Sequence, residues 1–330
     1  MRILSVDDDP IILDLLTQIL ASIGQTEVTI AESAAQAFEI LKTDCIPYDC
    51  FLLDIQMPEI DGIQLCAAIR RMPQYRRTPI LMITAMSEKA YIDKAFSAGA
   101  TDYITKPFDV IELGARIRVA EKLVDAQRYK TSKIAEVHKQ KARVSTEKPY
   151  FLEEKLHIDN VDGVIDYTAL ENYVSQLSRG SLFGSIVLAF HISDVERIFS
   201  GASAYDFECL ITDVADAITQ CLMRSQFLVS YAGNGTFVCV YGNDQKLLPD
   251  SLEGGLSEII SSMDLCYSDG RPILFKIVAG KPIRLTFRSG QKVVEALLKA
   301  RSTAENSNVE LIRTPSKPSL FATYLQGNTE

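Results

Sequence analysis

Over roughly the first 110 residues, short apolar runs the length of buried strands alternate with amphipathic helical patterns, and nothing else constrains the fold as tightly. The runs are Ile3 to Val6, Val28 to Ile30, Phe51 to Leu53, Ile80 to Ile83 and Tyr103 to Thr105. After the first, Ile12, Leu15, Leu16, Ile19, Leu20 and Ile23 recur at helical spacing, and further helical patterns cover about 34–42, 62–72 and 88–98. Asp9 is placed to cap the first helix, with Pro10 at a position where no amide proton is missed. Gly24 supplies its stop, and Gly99 closes the last pattern. Strands separated by helices of this length need crossover connections. They therefore form a parallel sheet covered on both faces, a doubly wound α/β domain.

The chain is 330 residues long, comfortable for two domains at roughly 150 residues each. Asp and Glu number 43 against 34 Lys and Arg, a net charge of -9. That balance disfavours a general nucleic-acid binder, which needs a concentrated positive surface. No apolar run approaches the roughly 18 residues of a membrane span, and the N-terminus reaches Asp7 without the apolar core of a signal peptide. The seven cysteines (45, 50, 66, 209, 221, 239, 266) contain no CxxC pair and read as reduced packing residues. The expectation is a cytoplasmic protein with no nucleic acid and no membrane insertion.

From Asp109 to about Arg143 there is no proline and no glycine after Gly114. Val110, Leu113, Ile117, Ala120 and Val124 make a helical seam that fades beyond Gln127, so a long helix is expected, packed in its first half and solvated in its second. A second domain begins near Pro149, with helices about 168–178, 204–223, 251–263 and 290–304. Strands are expected at 185–192, 273–279 and 283–287, with a hairpin of arms 226–232 and 236–241 about Gly233-Asn234-Gly235. Adjacent hairpins and helices indicate an α+β sandwich. The domain reading is 1–122, a helical linker 123–150, a second domain 151–313 and a loose tail 314–330.

The acidic residues that carry chemistry follow the strands of the first domain. Asp7 and Asp8 follow the first run, Asp54 the third, Thr84 ends the fourth and Lys106 follows the fifth. In a doubly wound sheet the carboxyl ends of neighbouring strands open onto one crevice. Three carboxylates there repel one another unless a cation neutralises them, and oxygen donors without thiolate select a hard ion, most naturally magnesium.

These residues resemble the receiver (CheY-like) domain of two-component response regulators. The likeness covers about residues 1–122 and includes Asp7-Asp8, Asp54 with Met57-Pro58-Glu59-Ile60-Asp61-Gly62, Thr84-Ala85, Gly99-Ala100 and Lys106-Pro107-Phe108. It implies a five-stranded flavodoxin-like sheet of order 2-1-3-4-5, with Asp54 as phosphoacceptor. It also implies Mg2+ held by Asp8, Asp54 and the backbone carbonyl of Gln56, with Asp7 acting through water. Thr84 and Lys106 would hold the phosphoryl group, Tyr103 would be the switch aromatic, and the peptide before Pro107 would be cis. A histidine kinase or phosphotransfer protein is the implied partner.

The second half is similar to the GGDEF domain, the fold of diguanylate cyclases, over about 158–313. Asp162-Gly163-Val164, Ala169-Leu170-Glu171 and the segment Gln291 to Asn308 carry the likeness. The signature position reads Gly233-Asn234-Gly235-Thr236-Phe237, with Gly235 and Thr236 where the family has two acids. His191 and Ser193 stand at a metal-binding aspartate and a neighbouring acid, and Phe199 and Ser200 at the guanine-reading pair. Arg224 survives from the inhibitory site, whereas Phe227 replaces its acid. The resemblance therefore implies a degenerate, noncatalytic domain, because imidazole, hydroxyl and glycine do not replace carboxylates that hold magnesium against triphosphate. Read by itself, His191 is a core or crevice histidine, His138 and His157 are surface residues, and Tyr231 and Phe237 pack a hairpin.

The function expected is a phosphorylation-controlled regulator, acting as a homodimer through receiver and spacer, whose GGDEF-like half binds an unidentified downstream protein. The alternative is a phosphorylation-controlled receptor for GTP or cyclic di-GMP. An active diguanylate cyclase is opposed by the substitutions.

Overall fold

A computed structural model describes residues 1–85, 89–140, 148, 150–159, 161–177, 182, 184–223, 226–242, 249–263, 265–286 and 290–313. In the first half, β1 (Ile3–Val6), β2 (Val28–Ala31), β3 (Cys50–Asp54), β4 (Ile80–Thr84) and β5 (Asp102–Thr105) form a parallel sheet of order β2-β1-β3-β4-β5. Five helices join and flank them: α1 (Pro10–Ser22), α2 (Ala34–Thr43), α3 (Gly62–Arg70), α4 (Lys89–Ser97) and α5 (Val110–Gln140). β1, β3 and β4 are buried along their whole length, as strands covered on both faces must be. Asp9 caps α1 by accepting from the Ile11 amide at 2.9 Å, with Pro10 opening the helix. The doubly wound fold and its strand order are those read from the sequence.

The long helix expected from Asp109 runs as α5 without a break past residue 122. Leu113, Ile117, Ala120 and Val124 are buried along its first half. The side chains that would show a solvated second half, from 129 onward, lie outside the described residues, as does the tail 314–330.

The second half is an antiparallel sheet with helices. Its strands are β6 (Ser185–Ile192), β7 (Phe227–Tyr231), β8 (Thr236–Gly242), β9 (Ile277–Ala279) and β10 (Ile283–Arg284), ordered β10-β6-β8-β7, with β9 also on β6. Its helices are α6 (Tyr167–Gln176), α7 (Val195–Gly201), α8 (Ala204–Leu222), α9 (Pro249–Ser262) and α10 (Gln291–Arg313). Two expected strands are shorter than read. β9 and β10 share β6, pairing Ile277 with Ile192 and Ile283 with Val187, and between them the Gly280 amide donates to the Ala189 carbonyl at 2.8 Å. A Cβ at Gly280 would meet Thr303 Oγ1 at 2.8 Å, so α10 packs directly against Gly280. The seven-residue α7 is too short to show a helical period and was not anticipated.

Gly233, Asn234 and Gly235 all take positive φ (85°, 53° and 65°), as the hairpin turn requires. The core is not divided where the sequence divides the chain. One apolar cluster runs from Phe51, Leu65, Ile92 and Phe96 of the first half into Leu170, Tyr173, Val174, Val240 and Leu297 of the second. A separate cluster on the other face of the second sheet holds Phe190, Phe207, Tyr231 and Phe237.

Candidate functional site

The carboxyl ends of β1, β3, β4 and β5 bring the acidic residues together with Lys106. Ligand oxygens of Asp7, Asp8 and Asp54 all lie within 4.8 Å of one another, with Asp8 exposed and the other two buried. The Lys106 ammonium donates to Asp7 Oδ2 and reaches Asp54 Oδ1, each at 2.7 Å. Asp54 is 3% exposed, and burial raises its pKa, opposed chiefly by Lys106. For Lys106, burial pulls the pKa down, but hydrogen bonds to Asp54 and Asp7 outweigh it and hold the ammonium above its ordinary value. The lysine is thus the one ammonium, among the described residues, set against the three carboxylates of this crevice.

The loop after β3 is fixed by short-range geometry. Gly62 opens α3 over the end of β3, and a Cβ there would lie 1.9 Å from the Asp54 carbonyl oxygen. The Gly62 amide donates to the Ile55 carbonyl at 3.0 Å. Asp61 forms a reciprocal capping box with Gln64, which sets the helix start. Thr84 is buried at the end of β4, level with Thr105 on β5. The Lys106–Pro107 peptide is cis. Tyr103 is 7% exposed, and its ring meets Phe96 edge-on at 6.2 Å.

Residues 3–118 match the family model of the response regulator receiver domain. These residues form a receiver domain. The transcriptional regulatory protein YvrH of Bacillus subtilis is 39% identical over 116 residues, which are 35% of this chain and 47% of that protein. The signal transduction histidine-protein kinase BarA of Shigella flexneri is 38% identical over 109 residues, 33% of this chain and 12% of BarA. A crystal structure of the chemotaxis response regulator CheY4 of Vibrio cholerae aligns at 28% identity and a TM-score of 0.34, covering 36% of this chain and 97% of that one. The chain spans about half of YvrH and far less of BarA, and both matches fall within its receiver.

The described positions compared with a cyclase site bond to or pack against other parts of this chain. His191 is buried, and its Nδ1 lies 2.9 Å from Thr236 Oγ1. Thr236 in turn donates to Glu305 Oε1 at 3.3 Å, and Glu305 also takes a hydrogen bond from Arg301 at 2.8 Å. Burial lowers the His191 pKa, against the opposing pull of Glu305 and Glu196. Ser193 Oγ accepts from the Lys276 amide at 2.8 Å. A side chain at Gly235 would meet Val195 Cγ2 at 2.6 Å, on a backbone of φ 65°. Phe199 packs edge-on against Phe207 at 4.9 Å, and the Ser200 hydroxyl bonds back to Glu196. Phe227 crowds Gly163, where a Cβ would lie 2.5 Å away. Arg224 lies outside the described residues.

Sequence reasoning missed several residues where the two halves meet. His157, expected at the surface, is held between Asp166 Oδ1 at 2.7 Å and Asp159 Oδ1 at 3.1 Å, and Asp159 also faces Arg76 of the receiver at 3.6 Å. Asp93, Asp102, Asn172, Tyr173 and Gln176 pair across the same joint. The sequence showed a helix at about 168–178, but nothing there said which surface it would meet. Among the described residues, no helix is long and apolar enough to cross a membrane.

Proposed function

We propose that the chain is a response regulator phosphorylated on Asp54 by a histidine kinase or phosphotransfer protein, and that its second half is a noncatalytic, GGDEF-like interaction module. The observation that carries the first part is the approach of Lys106 to both Asp7 and Asp54 beside a third carboxylate. An Asp54 oxygen would bond to the phosphorus of a phosphohistidine as the P–N bond breaks, and the released imidazole takes up a proton. Lys106 and Thr84 would hold phosphoryl oxygens that gain charge, so the chain contributes positioning and electrostatics. The donor set fits Mg2+: hard carboxylate oxygens of Asp7, Asp8 and Asp54, one of them exposed, with the Gln56 carbonyl beside them in sequence. When bound, such an ion neutralises the excess negative charge of the crevice and of the transferring group.

The noncatalytic reading of the second half rests on the signature turn itself, Gly233 to Phe237, none of whose residues carries a carboxylate, and on the packing of His191 against Thr236 and of Val195 against Gly235. Binding of a downstream protein is then the output. A homodimer through receiver and spacer would use faces other than the α4–β5 surface that α6 covers.

Incubation of the full chain with acetyl phosphate and magnesium, read by intact mass, is expected to add one phosphoryl group that Asp54→Asn abolishes. An unmodified wild-type mass would overturn the phosphoacceptor reading. Prolonged incubation with GTP is expected to leave it unconverted, and cyclic dinucleotide in the tube would overturn the noncatalytic one.

A further inference from the structure

The segment that enters the second half lies across it as a strap. Between α5 and α6 the described residues form no helix or strand, and the strap is held at every second residue. The Lys148 ammonium donates to the Phe199 carbonyl in the last turn of α7 and stands 4.2 Å from the centre of the Phe199 ring. A helix end and an aromatic face both favour a cation there. Burial lowers the Lys148 pKa, and among the described residues no carboxylate opposes it. Tyr150 sets its ring beside Phe199 and Phe207, at 6.1 and 6.5 Å between centroids, and its hydroxyl donates to the Ala204 carbonyl at 2.8 Å. The Leu152 carbonyl accepts from the Asn234 amide at 2.8 Å, and the Glu153 carbonyl oxygen lies 2.2 Å from where a Cβ on Gly233 would stand. Tyr150 and Leu152 pack on the cluster of Phe190 and Phe207, whereas Phe151 between them is 76% exposed. The polar groups that the crevice offers to the strap are all main-chain atoms. What it selects is therefore the chemistry of its occupant: an ammonium, a tyrosine two positions on, and a carbonyl two beyond that.

We propose that this crevice is a binding site for an extended Lys-x-Tyr segment of a partner protein, and that residues 148–154 are an internal copy of that ligand which competes for it. The inference rests on the second half being an interaction module, and it gives that module a surface and its partner a chemistry. The seated strap shows that the crevice accepts such a segment, with alternate side chains facing in as extended ligands present them. Charge favours a basic occupant. The chain carries a net charge of -9, Glu196 stands on α7, and burial and then the Glu208 carboxylate raise the pKa of Tyr150. The strap is displaceable, since three hydrogen bonds and a partly buried tyrosine ring and leucine hold it. A segment joined to its own site competes at an effective concentration of roughly millimolar order, so an outside ligand enters when it binds more tightly or when the strap is weakened.

Fluorescence anisotropy with a labelled peptide of residues 148–154 tests this on the full chain. Wild type is expected to bind the peptide weakly, and a chain opened by Lys148→Ala together with Tyr150→Ala to bind it about tenfold more tightly or better. Adding Phe199→Ala to the opened chain should remove that gain, and so should a peptide in which Tyr150→Ala is made. Lys148→Ala alone, at a partly exposed side chain, is expected to give an intermediate gain, which decides the matter if the double variant does not fold. Equal affinity of wild-type and opened chains, or no binding to a folded opened chain, overturns the crevice as the site. That result leaves the interaction-module reading standing, which falls instead to turnover of GTP. Binding that survives Phe199→Ala puts the peptide elsewhere and overturns the proposal too. A wild-type dimer in sedimentation that the peptide dissolves to monomers would make a second copy the occupant and overturn the separate partner.

Discussion

Asp54 carries an electrostatic cost in the metal-free chain. It is buried, its neighbours Asp7 and Asp8 are acids, and Lys106 is shared with Asp7. Replacing it with a neutral isostere removes one crowded charge and leaves Lys106 paired with Asp7. Asp54→Asn in EDTA is therefore expected to unfold at a higher urea concentration than wild type, and a lower midpoint would contradict the repulsion argument. His157 gives a pH signature of opposite origin. Burial lowers its pKa, but Asp166 and Asp159 outweigh that and raise it, and only an imidazolium can donate from both ring nitrogens. Its contribution is complete below the ordinary imidazole pKa of about 6.5 and is lost as pH rises through the raised folded value. The wild-type urea midpoint should fall across that window more than that of His157→Asn, and parallel curves would show that the pair of carboxylates is idle. Asp7, Asp8, Asp54, Thr84 and Lys106 were legible in the sequence because each follows or ends an apolar run. His157 was not, because its partners are fixed by packing between halves and not by local pattern.

At the scale of elements, the junction of β3 and α3 is the tightest point near the site. Gly62→Ala would drive a methyl into the Asp54 carbonyl, and the resulting shift is expected to cost roughly 1–3 kcal/mol in urea unfolding. Asp61→Ala removes only the cap and should cost about 1 kcal/mol, so equal losses would argue that contact with β3 adds nothing. The alternation of strands and helices in the receiver was readable because short, largely apolar runs of three or four residues, flanked by helical periodicity, admit few other arrangements. In the second half the same reasoning overextended β9 and β10. An apolar stretch shows burial, whereas the close packing of α10 on Gly280 involves a neighbour distant in sequence. The turn Gly233-Asn234-Gly235 was legible for the opposite reason: positive φ is a demand that local sequence itself must meet.

The whole molecule shares one apolar cluster between receiver and second half, although the sequence reads as two units joined by a spacer. Thermal unfolding is expected as a single calorimetric transition whose van't Hoff and calorimetric enthalpies agree, and two resolved peaks would show that the joint contributes little. Leu170→Ala, at the fully buried centre of α6, should lower stability by about 2–5 kcal/mol. The shared core also bears on biosynthesis. The receiver leaves the ribosome first and can begin to fold at once, yet the partner for Phe96 and Asp93 is translated only with Tyr173. Until then the nascent chain presents an uncovered aromatic and an acid without its hydroxyl. A message truncated before α6 would leave that sticky flank permanently available to chaperones or to other unfinished copies.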